Sequence, residues 1–97
     1  MKTLVLLVFA SGCAHHAAQG LLLLHVSPPD ARVLLDDRYI GSAAQLAGHP
    51  LRLDVGTRRI EVEAEGRYAA RREASIQAGG KVELDIDLHV IPDGLHD

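Results

Sequence analysis

Residues 81–90 read KVELDIDLHV, and apolar and polar side chains alternate through them without interruption. The apolar positions, predicted to face inward, are Val82, Leu84, Ile86, Leu88 and Val90. The polar positions, predicted to face outward, are Lys81, Glu83, Asp85, Asp87 and His89. Successive side chains of a β-strand point to opposite faces of its sheet, so the pattern predicts a strand with one buried and one solvated face.

Shorter runs with the same period fill the chain from Leu21 onward, and turn residues separate them. Leu22, Leu24 and Val26 alternate in the first run, which the prolines of residues 27–30 (SPPD) end. The other predicted strands are residues 32–36, 38–41, 49–55, 59–65 and 68–78. No segment has a sustained helical period, so the expected fold class is all-β, a small antiparallel β-sandwich of about six or seven strands.

Several local patterns predict where these strands begin, end and connect. Asp36 and Asp37 favour a turn, and residues 42–48 are typical of a loop. The strand at 49–55, with Leu51, Leu53 and Val55 on one face, is expected to end at Gly56. Arg71, Arg72 and Glu73 interrupt the pattern of residues 68–78. Gly79 and Gly80 are typical of a two-residue hairpin connection, which predicts that the last two strands pair with each other.

The N-terminus has the three parts of an export signal. Lys2 supplies a positive charge, residues 4–10 are apolar, and Ser11 and Gly12 are small residues directly before Cys13. The apolar run is much shorter than the roughly 20 residues of helix that cross a bilayer. Cys13 is the only cysteine, so an internal disulfide is excluded.

Residues 10–13 (ASGC) resemble the lipobox of bacterial lipoproteins, with Ala10 where that motif prefers Leu. The resemblance implies cleavage between Gly12 and Cys13, diacylglycerol on the Cys13 thiol, and three acyl chains in all, palmitate among them. It also implies transfer to the outer membrane, facing the periplasm, because Ala14 and not Asp follows the cysteine. An ordinary signal peptide with a chance cysteine is the alternative.

The small, polar residues 14–20 (AHHAAQG) are typical of a tether. His15 and His16 within it are a candidate metal-binding tract, but two flexible histidines without a third ligand favour the plain tether. The predicted organisation is a signal peptide at 1–12, a lipidated cysteine and tether at 13–20, a single domain at 21–90 and a polar, turn-rich tail at 91–97.

The order of strands and turns over residues 21–90 resembles the PEGA domain family, small β-sandwich modules of exported bacterial proteins. Residues 28–31 (PPDA) occupy the motif that names the family, with Asp30 in place of a glycine. Asp tolerates the left-handed backbone that such a glycine usually serves. Asp36 and Asp37 stand at the family's Asp-Gly turn, and residues 39–41 (YIG) match the hydrophobic-Gly step after it. The resemblance implies a sandwich fold and no catalytic residues.

Charge and composition exclude several functions. The formal net charge is −3, and no basic stripe is present of the kind that binds nucleic acid. Aromatic residues are 3% of the chain, so stacking platforms for sugars or bases are scarce. Ser75 and His89 form no hydrolase motif, because no Gly-x-Ser-x-Gly elbow surrounds the serine. We therefore expect neither an enzyme nor a cofactor.

Two predicted strands carry carboxylates on their outer faces: Glu83, Asp85 and Asp87 on one, and Glu61, Glu63 and Glu65 on the other. Carboxylates are calcium ligands. Period two places them about 6.5 Å apart, so binding one ion needs oxygens from a neighbouring strand. Solvated faces that discourage edge aggregation are the favoured interpretation, and a weak metal site is the alternative.

These observations predict a lipid-anchored, non-catalytic structural or adaptor module that docks on another envelope protein through a sheet edge or outward side chains. The alternative is a weak ligand-binding module for cell-wall carbohydrate or a divalent cation. The expected partners are a membrane, through lipid on Cys13, and an envelope protein. Peptidoglycan has no support in the residues, and nucleic acid is not expected.

Overall fold

The computed structural model describes residues 18–92, and the all-β class that the sequence predicts is confirmed. The strands are β1 (Gln19–Ser27), β2 (Arg32–Leu35), β3 (Arg38–Ser42), β4 (Leu51–Asp54), β5 (Gly56–Glu63), β6 (Ala70–Ile76) and β7 (Lys81–Asp87). One short helix, α1 (Ala43–Leu46), follows β3. No helix within residues 18–92 has the length and apolar character needed to cross a membrane.

The seven strands form two sheets, as the sandwich prediction requires. The first sheet has the order β4-β1-β7, and the second sheet has the order β3-β2-β5-β6. The pairs are antiparallel except for β1 and β7, which run parallel with Leu22 opposite Val82 and Val26 opposite Ile86. The parallel pair is possible because the whole of β2 to β6 lies between its two strands, which gives the long connection that parallel pairing needs.

The predicted hairpin at Gly79 and Gly80 is wrong. β6 pairs with β5 in the second sheet, whereas β7 pairs with β1 in the first, so the two glycines carry the chain from one sheet to the other. Gly80 N donates to Gln77 O at 2.9 Å and Gly79 N donates to Gln19 O at 2.9 Å, which ties this connection to β1. The diglycine signals a tight turn, but it does not specify which strand β7 joins.

One core lies between the sheets. Its buried members are Leu22, Leu24, Ala31, Val33, Leu35, Ala43, Leu53, Ile60, Val62, Ala74, Ile76, Ile86 and Leu88. The predicted alternation is confirmed in β1 by Leu22 and Leu24 and in β5 by Ile60 and Val62, although β5 ends at Glu63 and not at Glu65. In residues 81–90, Ile86 and Leu88 belong to the buried set. Val82 and Leu84 also face the core but remain half-buried, because β7 is an edge strand.

Two valines predicted to face inward are exposed. Val90 is 61% exposed because β7 ends at Asp87, and Val90 lies beyond it in an isolated bridge with Arg67. Val55 is 45% exposed because it lies between β4 and β5, where the chain passes from the first sheet to the second.

Several predicted boundaries need correction. β1 begins at Gln19, so Gln19 and Gly20 belong to a strand and not to the tether. A Cβ on Gly20 would lie 2.3 Å from Gln77 O, so this position tolerates no side chain. β5 begins at Gly56, the residue expected to end the preceding strand. β6 runs through Arg71, Arg72 and Glu73 without interruption, because hydrogen bonds to β5 hold it whatever its side chains are.

The segment expected to be a loop contains α1, which a capping box begins. Gln45 N donates to Ser42 Oγ at 3.1 Å, and Ser42 N donates to Gln45 Oε1 at 2.8 Å. A single turn of helix is too short to show periodicity, so Ser42 and Gln45 three residues apart are its only sequence signal.

The turn predicted at Asp36 and Asp37 is confirmed and joins β2 to β3. Both residues have positive φ, 49° and 69°, as a type I′ hairpin turn requires. The positive-φ residues other than glycine in the described chain are these two, so Asp30 does not use the left-handed backbone expected of it. Instead, Ala31 N donates to Pro28 O at 3.0 Å and closes the PPDA turn.

Candidate functional site

The predicted lipidation and cleavage residues, Cys13 and Gly12, lie outside the described residues, as do His15, His16 and residues 93–97 of the tail. The carboxylates of Glu83, Asp85 and Asp87 lie on the outer face of β7, where the alternation places them. The site must therefore be sought on the outer faces and edges of the two sheets.

The β7 carboxylates do not converge on one point. Glu83 Oε1 lies 3.7 Å from His25 Nε2 and 3.9 Å from Lys81 Nζ. Asp87 Oδ1 accepts a hydrogen bond of 2.6 Å from Ser27 Oγ. Each of these two carboxylates thus has its own neighbour on the sheet surface.

The geometry of β7 does not supply a metal site. Opposite Glu83, Asp85 and Asp87, β1 places Leu23, His25 and Ser27, so the neighbouring strand adds no carboxylate. Nowhere between residues 18 and 92 do three His, Cys, Asp or Glu side chains come close enough to hold a metal ion. The additional oxygens that the calcium hypothesis needs are therefore not provided by this part of the chain.

The carboxylates of β5 are engaged by arginines of neighbouring strands. Glu61 Oε1 lies 3.7 Å from Arg71 Nε, and Glu63 Oε1 lies 3.4 Å from Arg32 Nη1. Ion pairs this exposed contribute little to stability. Their effect is to keep the outer face of the second sheet charged and solvated.

The two tyrosines of the described domain lie on different elements. Tyr39 is half exposed on β3, but the Arg32 guanidinium lies 4.9 Å from the centre of its ring and covers one face. Tyr68 is half exposed in the β5–β6 connection, where its N–H donates to His89 O at 2.9 Å. Sugar recognition uses exposed aromatic faces, and Arg32 occupies one face of Tyr39.

A shallow groove of about 380 Å³ is lined by residues of β5 and β6 together with Asp37 of the β2–β3 turn. Its charged lining consists of Asp37, Arg59, Glu61, Arg71, Arg72 and Glu73. Arg59 Nη2 lies 2.6 Å from Asp37 Oδ2, and Glu61 is paired with Arg71 as described above. With equal numbers of acidic and basic groups, the groove has no preference for an anion or a cation.

Asp36 is the most strongly bonded carboxylate on this surface. Its Oδ2 accepts a 2.6 Å hydrogen bond from Arg58 Nε, and its Oδ1 accepts one of 2.9 Å from Arg59 N. The backbone hydrogen bond from Arg59, then the hydrogen bond from Arg58, holds the pKa of Asp36 below its ordinary value. Sequence reasoning identified the turn but missed this contact, because nothing local links Asp36 to two arginines in β5.

Three of the four edge strands carry a feature that discourages the addition of another strand. β3 has a register shift opposite Val33 and Leu34, and β4 has four residues and directly follows Pro50. β6 places Arg72 opposite the buried Ile60, so an arginine lies on its core-facing side.

β7, the fourth edge, has none of these three features, and its protection is limited to the charged side chains of its outer face, which discourage pairing between like edges. It has seven residues in regular alternation, and neither a proline, a register shift nor a core-facing charge occurs in it. In the pairing of residues 18–92 it bonds only to β1, which leaves its other side open. The alternation in the sequence predicts the strand but not its place at an edge.

The fold and its surface define a class of small two-sheet modules whose outer faces are charged and whose accessible feature is a sheet edge. The family follows from the sequence match. The PEGA domain profile matches residues 20–91, from the second residue of β1 to just beyond β7, and the chain belongs to the PEGA domain family. The comparison with curated proteins gives no match.

Proposed function

We propose that this chain is a lipid-anchored protein of the bacterial envelope whose PEGA domain is a non-catalytic adaptor that docks on another envelope protein. The open edge of β7 is the observation that carries the proposal. An exposed strand edge presents unpaired N–H and C=O groups, and proteins that do not use such an edge usually block it. The other three edges carry such blocking features, which supports β7 as the edge that binds a partner.

The anchoring part of the proposal rests on residues 1–13. A basic residue, a short apolar run and small residues before a single cysteine support export and lipidation. Each buried CH₂ of an acyl chain contributes about 0.8 kcal/mol, so several chains hold a protein on its membrane. With Ala14 after the cysteine, we place the protein at the outer membrane, facing the periplasm.

The adaptor part of the proposal rests on the ion pairs that the carboxylates of the described surface form. Asp36, Glu61 and Glu63 each have an arginine partner on the second sheet. Such pairs join neighbouring strands, and each of these carboxylates is engaged by an arginine. We therefore infer a role in binding and not in catalysis, with no cofactor.

Anchoring is tested with the full-length chain expressed in a Gram-negative host fed a clickable palmitate analogue. We expect label on the wild type and on Ser11→Ala, a matched change that leaves the cysteine in place. Cys13→Ser should lose both the label and membrane association. Label and membrane association that persist in Cys13→Ser would refute the lipid anchor.

Docking is tested in the same cells with a photoreactive amino acid placed at one exposed position of each edge strand in turn. An adaptor should give a discrete cross-linked product from at least one edge in the wild type. The product should disappear when Cys13→Ser removes the protein from the membrane. Absence of a discrete product from every edge would refute the adaptor proposal.

A further inference from the structure

The backbone groups that β7 leaves open can be assigned from its two ends. Gly80 O accepts a hydrogen bond of 2.9 Å from Leu21 N, and Leu88 N donates one of 3.0 Å to Ser27 O, so both residues are bonded to β1. Backbone polar groups of successive strand residues point to opposite sides. The even-numbered residues between them therefore bond to β1, and Glu83 and Asp85 direct their N–H and C=O groups to the free edge.

The side chains along this edge differ sharply between its two faces. On the core face, Val82 and Leu84 are half-buried, because no strand lies beyond β7 to cover them. On the outer face, Glu83, Asp85 and Asp87 follow one another at every second position. A strand added here would complete the cover over the two apolar side chains and lie beside a row of carboxylates.

A second copy of this edge is a poor occupant. Antiparallel pairing of two β7 strands centred on Asp85 places Asp85 opposite Asp85 and Glu83 opposite Asp87. Like charges directly opposite each other destabilise a strand pair. The same carboxylates favour a strand with lysine or arginine at the facing positions.

We propose that the free edge of β7 binds an extended segment of a partner protein in which Lys or Arg alternates with aliphatic residues. The segment becomes the fourth strand of the first sheet. Its basic side chains face Glu83, Asp85 and Asp87, and its aliphatic side chains cover Val82 and Leu84. This inference rests on the adaptor function proposed above and specifies the chemistry of the partner.

The test uses the full-length protein in a non-ionic detergent and a capped peptide of alternating Lys and Val, seven residues long like β7. The control peptide has the same composition with its lysines and valines in two blocks. We expect the alternating peptide to bind about tenfold more tightly, which corresponds to roughly 1.4 kcal/mol. Isothermal titration calorimetry measures both peptides, and equal affinity for the two would overturn the proposal.

Variants of the protein separate the edge from the charge. Asp85→Asn keeps the outward N–H and removes the carboxylate, so we expect a loss of affinity of about threefold. Asp85→Pro also removes an N–H that β1 does not use, so the loss should reach about tenfold or more. Asp54→Asn, a matched change in the opposite edge strand β4, should leave the affinity unchanged.

A change in the peptide keeps the test decisive if Asp85→Pro fails to fold, which circular dichroism would show. N-methylation of the peptide amides on one edge blocks hydrogen bonding from that edge only. One of the two singly methylated peptides should lose binding, and the peptide methylated on both edges should lose it completely. Binding that survives methylation of both edges would overturn strand addition.

Failure of this inference is distinct from failure of the adaptor function. If the peptides fail to discriminate while a discrete cross-link forms in cells from another edge, the β7 inference is wrong and the adaptor function stands. If no edge forms a cross-link in cells, the adaptor function is wrong whatever the peptides do.

Discussion

Arg58 Nε lies 2.6 Å from Asp36 Oδ2, and this contact joins the turn between β2 and β3 to the first half of β5. The same arginine donates from Nη1 to Asp54 O at 3.2 Å, so it also reaches the end of β4 in the first sheet. Asp36 also exchanges two hydrogen bonds with Arg59: its N–H donates to Arg59 O at 2.8 Å, and its Oδ1 accepts from Arg59 N. One carboxylate thus fixes the position of the hairpin turn relative to both sheets.

We predict that Asp36→Asn lowers the free energy of unfolding by about 1 kcal/mol. This is the contribution of a hydrogen bond to a charged group, reduced because the site is partly exposed to solvent. Asparagine tolerates the positive φ of this position, so the change reports on charge and not on backbone strain. Asp37→Asn is the matched control, because Asp37 also has positive φ but pairs with Arg59 at a more exposed position. The unfolding free energy of Asp37→Asn should differ from that of the wild type by less than about 0.5 kcal/mol. Equal effects in urea titrations would contradict the role assigned to Asp36.

The contribution of Asp36 should depend on pH. Its pKa in the folded protein lies below the ordinary value of 3.8, so the stabilisation is fully present above that value. It is lost as the pH falls through the lowered folded pKa, because the carboxyl is then protonated in both states. The difference in unfolding free energy between wild type and Asp36→Asn should therefore be constant from neutral pH to about 5 and shrink below 3.8. A difference that grows on acidification would show that the sign is wrong.

Substitutions in β7 should follow its burial. Ile86 is 1% exposed, so Ile86→Ala should cost about 2 to 5 kcal/mol through lost burial and a cavity. Leu84→Ala should cost less, about 1 to 2 kcal/mol, because that side chain is only partly buried at the open edge. Asp85→Ala on the outer face should stay within about 0.5 kcal/mol of the wild type. Chemical denaturation measures all three, and equal costs at positions 85 and 86 would contradict the strand's orientation.

Calcium should not stabilise the protein. A site of the weak extracellular kind, with a dissociation constant near 10⁻³ M, would add about 1.4 kcal/mol at ten millimolar calcium. In a domain this small, that gain would raise Tm by roughly several degrees. We expect no rise beyond that produced by sodium at equal ionic strength. A calcium-specific rise that Asp85→Asn abolishes would favour the cation-binding alternative.

Much of this fold follows from the sequence alone, because strand period and turn chemistry are local properties. Alternation in residues 81–90 and around Leu22 and Leu24 sets which side chains face inward, whatever the partner strands are. Asp36 and Asp37 specify a hairpin turn, because few residues other than glycine, asparagine and aspartate tolerate positive φ. The export and lipidation signals predicted for residues 1–13 rest on the sequence alone and stay predictions, because these residues lie outside the described part of the chain.

Only the tertiary structure decided which strands pair and which edges stay open. Gly79 and Gly80 are compatible with a hairpin between β6 and β7 as well as with the observed connection between the sheets. In the structure, β7 pairs with β1, from the other end of the chain, and β6 pairs with β5. The pairing of the strands also places Arg72 on the core-facing side of the edge strand β6, Val90 in solvent and Arg58 against Asp36. Pairing is selected by the total apolar surface that two sheets bury together, and contributions to that sum come from residues far apart in sequence. No local pattern contains it.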